Sequence, residues 1–156
     1  MCKARKATLK DVPALNRLLF NLMVRFEKMD SFDMQDRSYW KNRNTAAIRK
    51  FIRARDKDFI VVEENKKIVA LIEIIVIKRE GIFKIKHNGH IETTFVSPKC
   101  RGKGYGKILV NEAVKWFKKR KVKHITVGTH AKDSGANSFW KKMGFKEYNI
   151  KYRKKV

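Results

Sequence analysis

With 156 residues, 39 lysines and arginines against 15 acidic residues, and a formal net charge of +24, the chain is sized for one domain with a proper core. Its field attracts polyanions: nucleic acid, an anionic membrane or a phosphorylated ligand. The longest apolar stretch, Ile68 to Ile77, is interrupted by Glu73 and excludes a membrane span, and the N-terminal residues lack the apolar region of a signal peptide.

Taken in chain order, Lys3 to Thr8 reads as a short first strand. Asp11 is placed to cap a helix with Pro13 in its first turn, and Val12, Leu15, Leu18, Leu19, Leu22, Met23 and Phe26 recur at helical spacing. Residues 28–37 are polar with three aspartates (Asp30, Asp33, Asp36) and read as a loop; Ser38 to Arg55 reads as a second helix with Tyr39, Ile48, Phe51 and Ile52 inward. Phe59 to Glu63 and Ile68 to Ile77 are rich in β-branched residues and joined by Glu64-Asn65-Lys66-Lys67, a hairpin signal. His90 to Val96 is a strand stopped by Pro98.

A glycine-rich segment, Arg101-Gly102-Lys103-Gly104-Tyr105-Gly106-Lys107, then opens a helix carrying Ile108, Leu109, Ala113, Trp116 and Phe117. Lys123 to Thr129 is a strand, Ser134 to Met143 a helix stopped by Gly144, and the period-two pattern of Phe145 to Tyr152 predicts a final strand. The expected order is β-α-α-β-β-β-α-β-α-β: a single α/β domain over residues 1–156, with a mixed, mostly antiparallel sheet flanked by helices.

The glycine segment is the chemically loudest feature. Glycines at alternate positions let the backbone turn tightly and approach a ligand, and the unpaired amides of the following helix point at it from the positive end of the dipole. Arg101, Lys103 and Lys107 add charge of the matching sign, so the loop is read as an anion cradle. A Walker loop is excluded because only three residues separate Gly102 from Gly106 and Ile108 follows Lys107. A dinucleotide fingerprint is excluded because Lys107 stands where its third glycine belongs. What remains is Arg-x-x-Gly-x-Gly, from Arg101, Gly104 and Gly106. The plain alternative is a glycine-rich turn with solubilising lysines.

That hexapeptide is similar to the pyrophosphate loop of the GNAT superfamily of N-acetyltransferases, and the element order resembles this fold along nearly the whole chain. A second motif agrees: Asn137-Ser138-Phe139-Trp140-Lys141-Lys142-Met143-Gly144-Phe145 resembles the family's late signature, in which an asparagine starts a short helix ending in Gly-Phe. The opening Arg5-Lys6-Ala7-Thr8 is a weaker third point. The resemblance implies acetyl-CoA as cosubstrate, no metal, and direct acetyl transfer to a primary amine in a ternary complex. It implies cofactor contacts from Arg101 to Lys107, from unpaired strand amides around Phe95 and Val96, and from Asn137, which also suits a helix N-cap or first turn.

In such enzymes the base commonly projects from the strand before the glycine loop. Glu92 is the first candidate and His90 the second, sharing a face with Thr94 unless a bulge intervenes; the alternative for each is a polar residue on a half-exposed strand. The family's tyrosine acid is absent, because Trp140 stands at its place and an indole gives up no useful proton. Tyr148 and Tyr152 are substitutes from the final strand, or simply packing residues. His130 borders the acceptor pocket or lies on the surface.

Acceptor selection is implied for the first two helices, their loop and the last hairpin. The acceptor amine is expected to be a small molecule, a polyamine, or a protein lysine or N-terminus. Cys2 and Cys100 show no disulfide framework and no metal-ligand spacing, so a reducing cytoplasm is expected, and Cys100 is read as a bystander. A monomer or homodimer without membrane partners is expected. Two other readings compete: a catalytically weak acyl-CoA-binding module, and a basic nucleic-acid-associated protein, which no nucleic-acid motif supports.

Overall fold

A computed structural model describes residues 2–42 and 44–156. Five strands form one sheet in the order β1-β2-β3-β4-β5: β1 Ala4–Lys6, β2 Lys57–Glu64, β3 Lys67–Lys78, β4 His87–Val96 and β5 Ile125–Val127. The first four pair antiparallel, and β5 joins β4 in parallel after the crossover through α4, Tyr105–Lys119. The other helices are α1 (Val12–Met29), α2 (Arg37–Asn42), α3 (Asn44–Arg53) and α5 (Ser134–Lys142). Among the described residues no helix is long and apolar enough to cross a membrane.

The sheet buries both faces, which is why β2 and β3 read as continuous apolar runs. On one face Ile60, Val62, Ala70, Ile72, Ile74 and Ile91 pack against Leu109, Val110, Ala113 and Phe117 of α4. On the other, Phe59, Val61, Leu71 and Phe95 meet Leu15, Leu18, Leu19 and Leu22 of α1 and Ile48 of α3. The α1 stripe is therefore the one its spacing predicts. The β2–β3 connection is the expected hairpin, with both central residues, Asn65 and Lys66, at positive φ (51° and 60°).

Four expectations are corrected. Asp11 precedes α1, but its carboxylate turns away from that helix. It accepts from Arg5 Nη1 (2.7 Å) and Nη2 (2.9 Å) and from the Thr8 amide (2.7 Å), so it ties β1 to the turn instead. The helix expected over residues 38–55 forms α2 and α3, with residue 43 outside the described residues, and Trp40, not Tyr39, is the α2 aromatic packed against the inner cluster. The fifth strand, expected over Lys123 to Thr129, spans only Ile125–Val127. The final strand does not form: residues 145–156 carry no regular structure, and Tyr148, Ile150 and Tyr152 are exposed. Period two makes a strand only where one face is covered. Lys146, Lys151, Lys154 and Lys155 oppose such docking on a chain already this cationic.

Gly89 fixes how closely α4 sits on β4. A Cβ there would lie 2.7 and 2.8 Å from Phe117 ring atoms, in a fully buried contact. Gly89→Ala is expected to cost about 1–3 kcal/mol by overpacking, read as a lower urea midpoint, with partial recovery in Gly89→Ala/Phe117→Leu. An unchanged midpoint contradicts the contact.

Candidate functional site

The β4–β5 pairing lasts three residues, Gly89↔Ile125, His90↔Thr126 and Ile91↔Val127. It stops where β4 bulges. Across β3, Ile74 pairs with Ile91 and Glu73 with Thr93, so Glu92 is the extra residue. A bulge bends the strand and raises its twist, and from Glu92 to Val96 the β5-side edge of β4 has no strand beside it. This open wedge leads straight to the glycine loop.

At the loop, Gly102 (φ 79°) and Gly104 (φ 80°) take the left-handed conformation, and a Cβ on either would meet nothing within 4 Å. The loop thus presents open backbone to the outside, with Gly104 as N-cap of α4 and the first-turn amides of Tyr105, Gly106 and Lys107 behind it. Gly106 serves packing as well, since its Cβ would touch the Phe139 ring of α5 at 3.1 Å. Arg101 and Lys107 are exposed, and Arg101 Nε donates to the Val96 carbonyl (3.2 Å), pinning the loop to the end of β4.

Two side chains of the loop are engaged internally. Lys103 Nζ and Tyr105 Oη each lie 2.7 Å from Glu64 Oε1, and the Cys100 thiol donates to the same carboxylate at 3.4 Å. Lys103 above all holds the Glu64 carboxyl down at about 2. Tyr105 therefore offers a ligand its backbone amide, its ring being buried. Burial and then Glu64 push the Cys100 thiol up, against any nucleophilic role.

At the bulge, His90 and Glu92 are brought together, with Nε2 3.9 Å from Glu92 Oε1. His90 Nδ1 lies 2.8 Å from Thr126 Oγ1, which already accepts from Asn88 Nδ2 at 2.9 Å. Thr126 Oγ1 also donates to the Gly89 carbonyl at 3.4 Å, so this hydroxyl ties the His90 ring to both β4 and β5. Thr94 is not on their face, because the bulge flips the alternation. Thr94 pairs with Ile72 on the α4 side, and among the described residues its buried hydroxyl has no hydrogen-bond partner.

The alternation instead puts His90, Thr93 and Glu73 on the α1 face. Glu73 is the site residue that sequence reasoning missed. Its signal was visible as the lone charge inside the β3 apolar run, noted only as a break in hydropathy. Burial raises its carboxyl to about 7, opposed by a hydrogen bond from Thr93 and reinforced by Glu92.

On the far wall, Asn137 lies inside α5, whose N-cap is Asp133, with its Oδ1 accepting from the Ala136 amide at 3.0 Å. Asn137 therefore does not cap the helix. Its amide bonds Thr129 and donates to the His130 carbonyl (3.2 Å), holding the β5–α5 loop. His130 Nε2 reaches Asp30 Oδ2 at 3.5 Å, and Arg25 of α1 pairs with Asp133 at 2.8 Å. Trp140 is buried between Phe139 and Phe145, whereas Tyr148 and Tyr152 are exposed and belong to no strand.

The model of the Acetyltransferase (GNAT) family matches residues 22–145. An uncharacterized N-acetyltransferase of Methanocaldococcus jannaschii is 32% identical over 117 residues, covering 74% of this chain; the chain spans about half of that relative, 51%. Among solved structures, a tetramutant of the BH1408 protein of Bacillus halodurans superposes with a TM-score of 0.87 at 17% identity, covering 98% of this chain and 99% of that one. A predicted acetyltransferase from Clostridium acetobutylicum, solved with acetyl-CoA, gives 0.76 at 20% identity, covering 99% and 96%.

The Glu73 environment has a thermodynamic signature. Its folded value of about 7 lies above the ordinary 4.5, so the folded state binds the extra proton. Its favourable contribution is complete below pH 4.5 and is lost as pH rises through 7, a change of about 3 kcal/mol. Glu73→Gln is expected to flatten the pH dependence of stability between pH 5 and 8 and to gain most over wild type at pH 8, by urea melts. Parallel curves for the two proteins contradict the assignment.

Proposed function

This chain belongs to the acetyltransferase (GNAT) family, and we propose that it transfers the acetyl group of acetyl-CoA directly to a primary amine in a ternary complex. One observation carries the reading: the wedge opened by the Glu92 bulge joins an anion-binding loop to a cluster of proton-accepting side chains. The residues present fit the cosubstrate. Arg101, Lys107 and the amides from Gly102 to Gly106 would receive its phosphates, with Lys103 exchanging Glu64 for them. The free edge of β4 at Phe95 and Val96 would pair with its amide-bearing arm as an added strand does, and Asn137 would face it from the other wall. When bound, acetyl-CoA supplies an activated thioester. The C. acetobutylicum neighbour, solved with acetyl-CoA, supports the same ligand.

The protein must then provide a neutral amine, since an alkylammonium keeps its proton to a reference pKa near ~10.4. We assign this to the bulge. Glu92, half-exposed in the wedge, meets the ammonium directly or through water, with His90 Nε2 standing 3.9 Å from its carboxylate. Glu73 is the second acceptor, because its burial favours the protonated carboxyl near neutral pH. The amine nitrogen attacks the carbonyl, the C–S bond breaks, and the departing thiolate takes its proton from water, because Trp140 has none to give.

Acetyl-CoA titrated calorimetrically in ~0.3 M salt, with ATP as polyanion control, is expected to bind saturably where ATP does not. Equal binding of both ligands, or of neither, overturns the reading in favour of charge alone. In turnover assays, Glu92→Gln is expected to lower kcat by about 10²–10⁴, and His90→Ala by less. Glu73→Gln is expected to remove the acidic limb near pH 7 from the kcat/KM profile. Unchanged kcat in both Glu92→Gln and His90→Ala overturns the base assignment, and an unmoved limb leaves Glu73 a purely structural residue.

A further inference from the structure

The three aspartates after α1 behave differently. Asp36 caps α2, its Oδ1 accepting from the Ser38 amide (2.9 Å) and hydroxyl (2.7 Å). Asp33 lies in a short 3-10 turn. Asp30 is built into a site. Its own amide bonds the Phe26 carbonyl (2.9 Å), and its Oδ1 accepts from the Phe32 amide (3.0 Å), which leaves Oδ2 directed outward. There Oδ2 meets the guanidinium of Arg153 at 2.6 Å and His130 at 3.5 Å. The same guanidinium lies 4.3 Å from the centre of the Phe32 ring, which is otherwise 72% exposed. A carboxylate and an aromatic face turned on one point are a cation receptor. Its occupant comes from the segment after α5, which has no regular structure and whose neighbouring Tyr152 is 91% exposed, so releasing it disrupts little.

We propose that Asp30 and Phe32 form the subsite for a second positive charge on the acceptor, and that Arg153 fills it in the free protein as an intramolecular competitor. The acceptor class is an amine bearing a further ammonium or guanidinium. This rests on the amine-acetylating reading above and deepens it. The subsite is joined to the cofactor wall by one residue, since His130 contacts Asp30 through its ring and Asn137 through its carbonyl. Asp30 itself ends α1, the helix that covers the sheet face to which His90, Thr93 and Glu73 also belong. A tethered arginine acts at an effective concentration on the order of millimolar, enough to select for acceptors that engage the carboxylate better than it does.

The test is calorimetric, with spermidine as probe at fixed salt. Arg153→Ala is expected to bind spermidine about three- to tenfold tighter than wild type. Adding Asp30→Asn should remove that gain, and adding Phe32→Leu, a change at an exposed ring that the fold tolerates, should weaken binding about two- to fivefold. Butylamine, with one charge, should show no gain from Arg153→Ala. A free peptide of residues 149–156 should compete with spermidine in the Arg153→Ala protein; direct binding of the peptide by a protein that does not bind spermidine overturns the small-amine acceptor class. Equal spermidine affinity in all proteins, with no peptide competition, overturns the proposal. Acetyl-CoA is titrated into the same Arg153→Ala preparation. If it binds while the cation series is flat, the subsite fails and the acetyltransfer reading stands; if it does not bind while the series holds, the reverse is true.

Discussion

One inserted residue, Glu92, governs the geometry of everything else in the site. Without it, β4 would continue its alternation past Ile91 and could keep pairing with β5. With it, the ladder to β5 ends at Ile91↔Val127, and side chains beyond it exchange faces. Phe95 is thereby sent into the α1 core and Val96 toward the α4 cluster. The same flip brings Thr93 beside Glu73. The wedge and the meeting of Thr93 with Glu73 are therefore consequences of a single register change, fixed by the packing of Ile91 and Phe95 on opposite sides.

The wedge stays open because its two walls are held independently. One wall is β4, pinned to the loop by Arg101 and to α4 by the Gly89–Phe117 contact. The other is the β5–α5 loop, fixed to α1 through Arg25–Asp133 and Asp30–His130. Asp133 is nearly buried, yet it caps α5 and pairs with Arg25 at once, so its charge is fully met. A buried carboxylate satisfied in this way orients the second wall without depending on any strand pairing across the gap.

The sequence made some of this legible and left some of it hidden, for physical reasons. The glycine loop could be read because left-handed backbone and close approach leave a residue-type trace at Gly102, Gly104 and Gly106. The α1 and α4 faces could be read because burial repeats at helical spacing. The bulge left no such trace: His90-Ile91-Glu92-Thr93-Thr94 alternates acceptably with or without an insertion, and its partner Glu73 lies some twenty residues away in sequence. The final strand misled in the opposite sense, since Phe145 to Tyr152 has the right period but nothing to cover its apolar side. The side-chain directions of Asp11 and Tyr105 left no local trace either, because tertiary partners set them, Arg5 for Asp11 and Glu64 for Tyr105.

In a chain of +24 the carboxylates are few, and their placement carries more information than that of the lysines. Glu64 and Asp30 each hold a cation of this chain, Lys103 and Arg153 respectively. Both carboxyls are drawn down to about 2 by those contacts, so each stays charged at working pH and each pair is exchangeable. In the proposed reaction an incoming polyphosphate would compete with Glu64 for Lys103, whereas an incoming cation would compete with Arg153 for Asp30. Glu73 does the reverse: burial raises it to about 7, against a weaker lowering pull from Lys57. The same residue type is thus held charged at Glu64 and Asp30 and poised to change charge at Glu73. The surrounding basic surface supplies long-range attraction, and these carboxylates decide which charges remain.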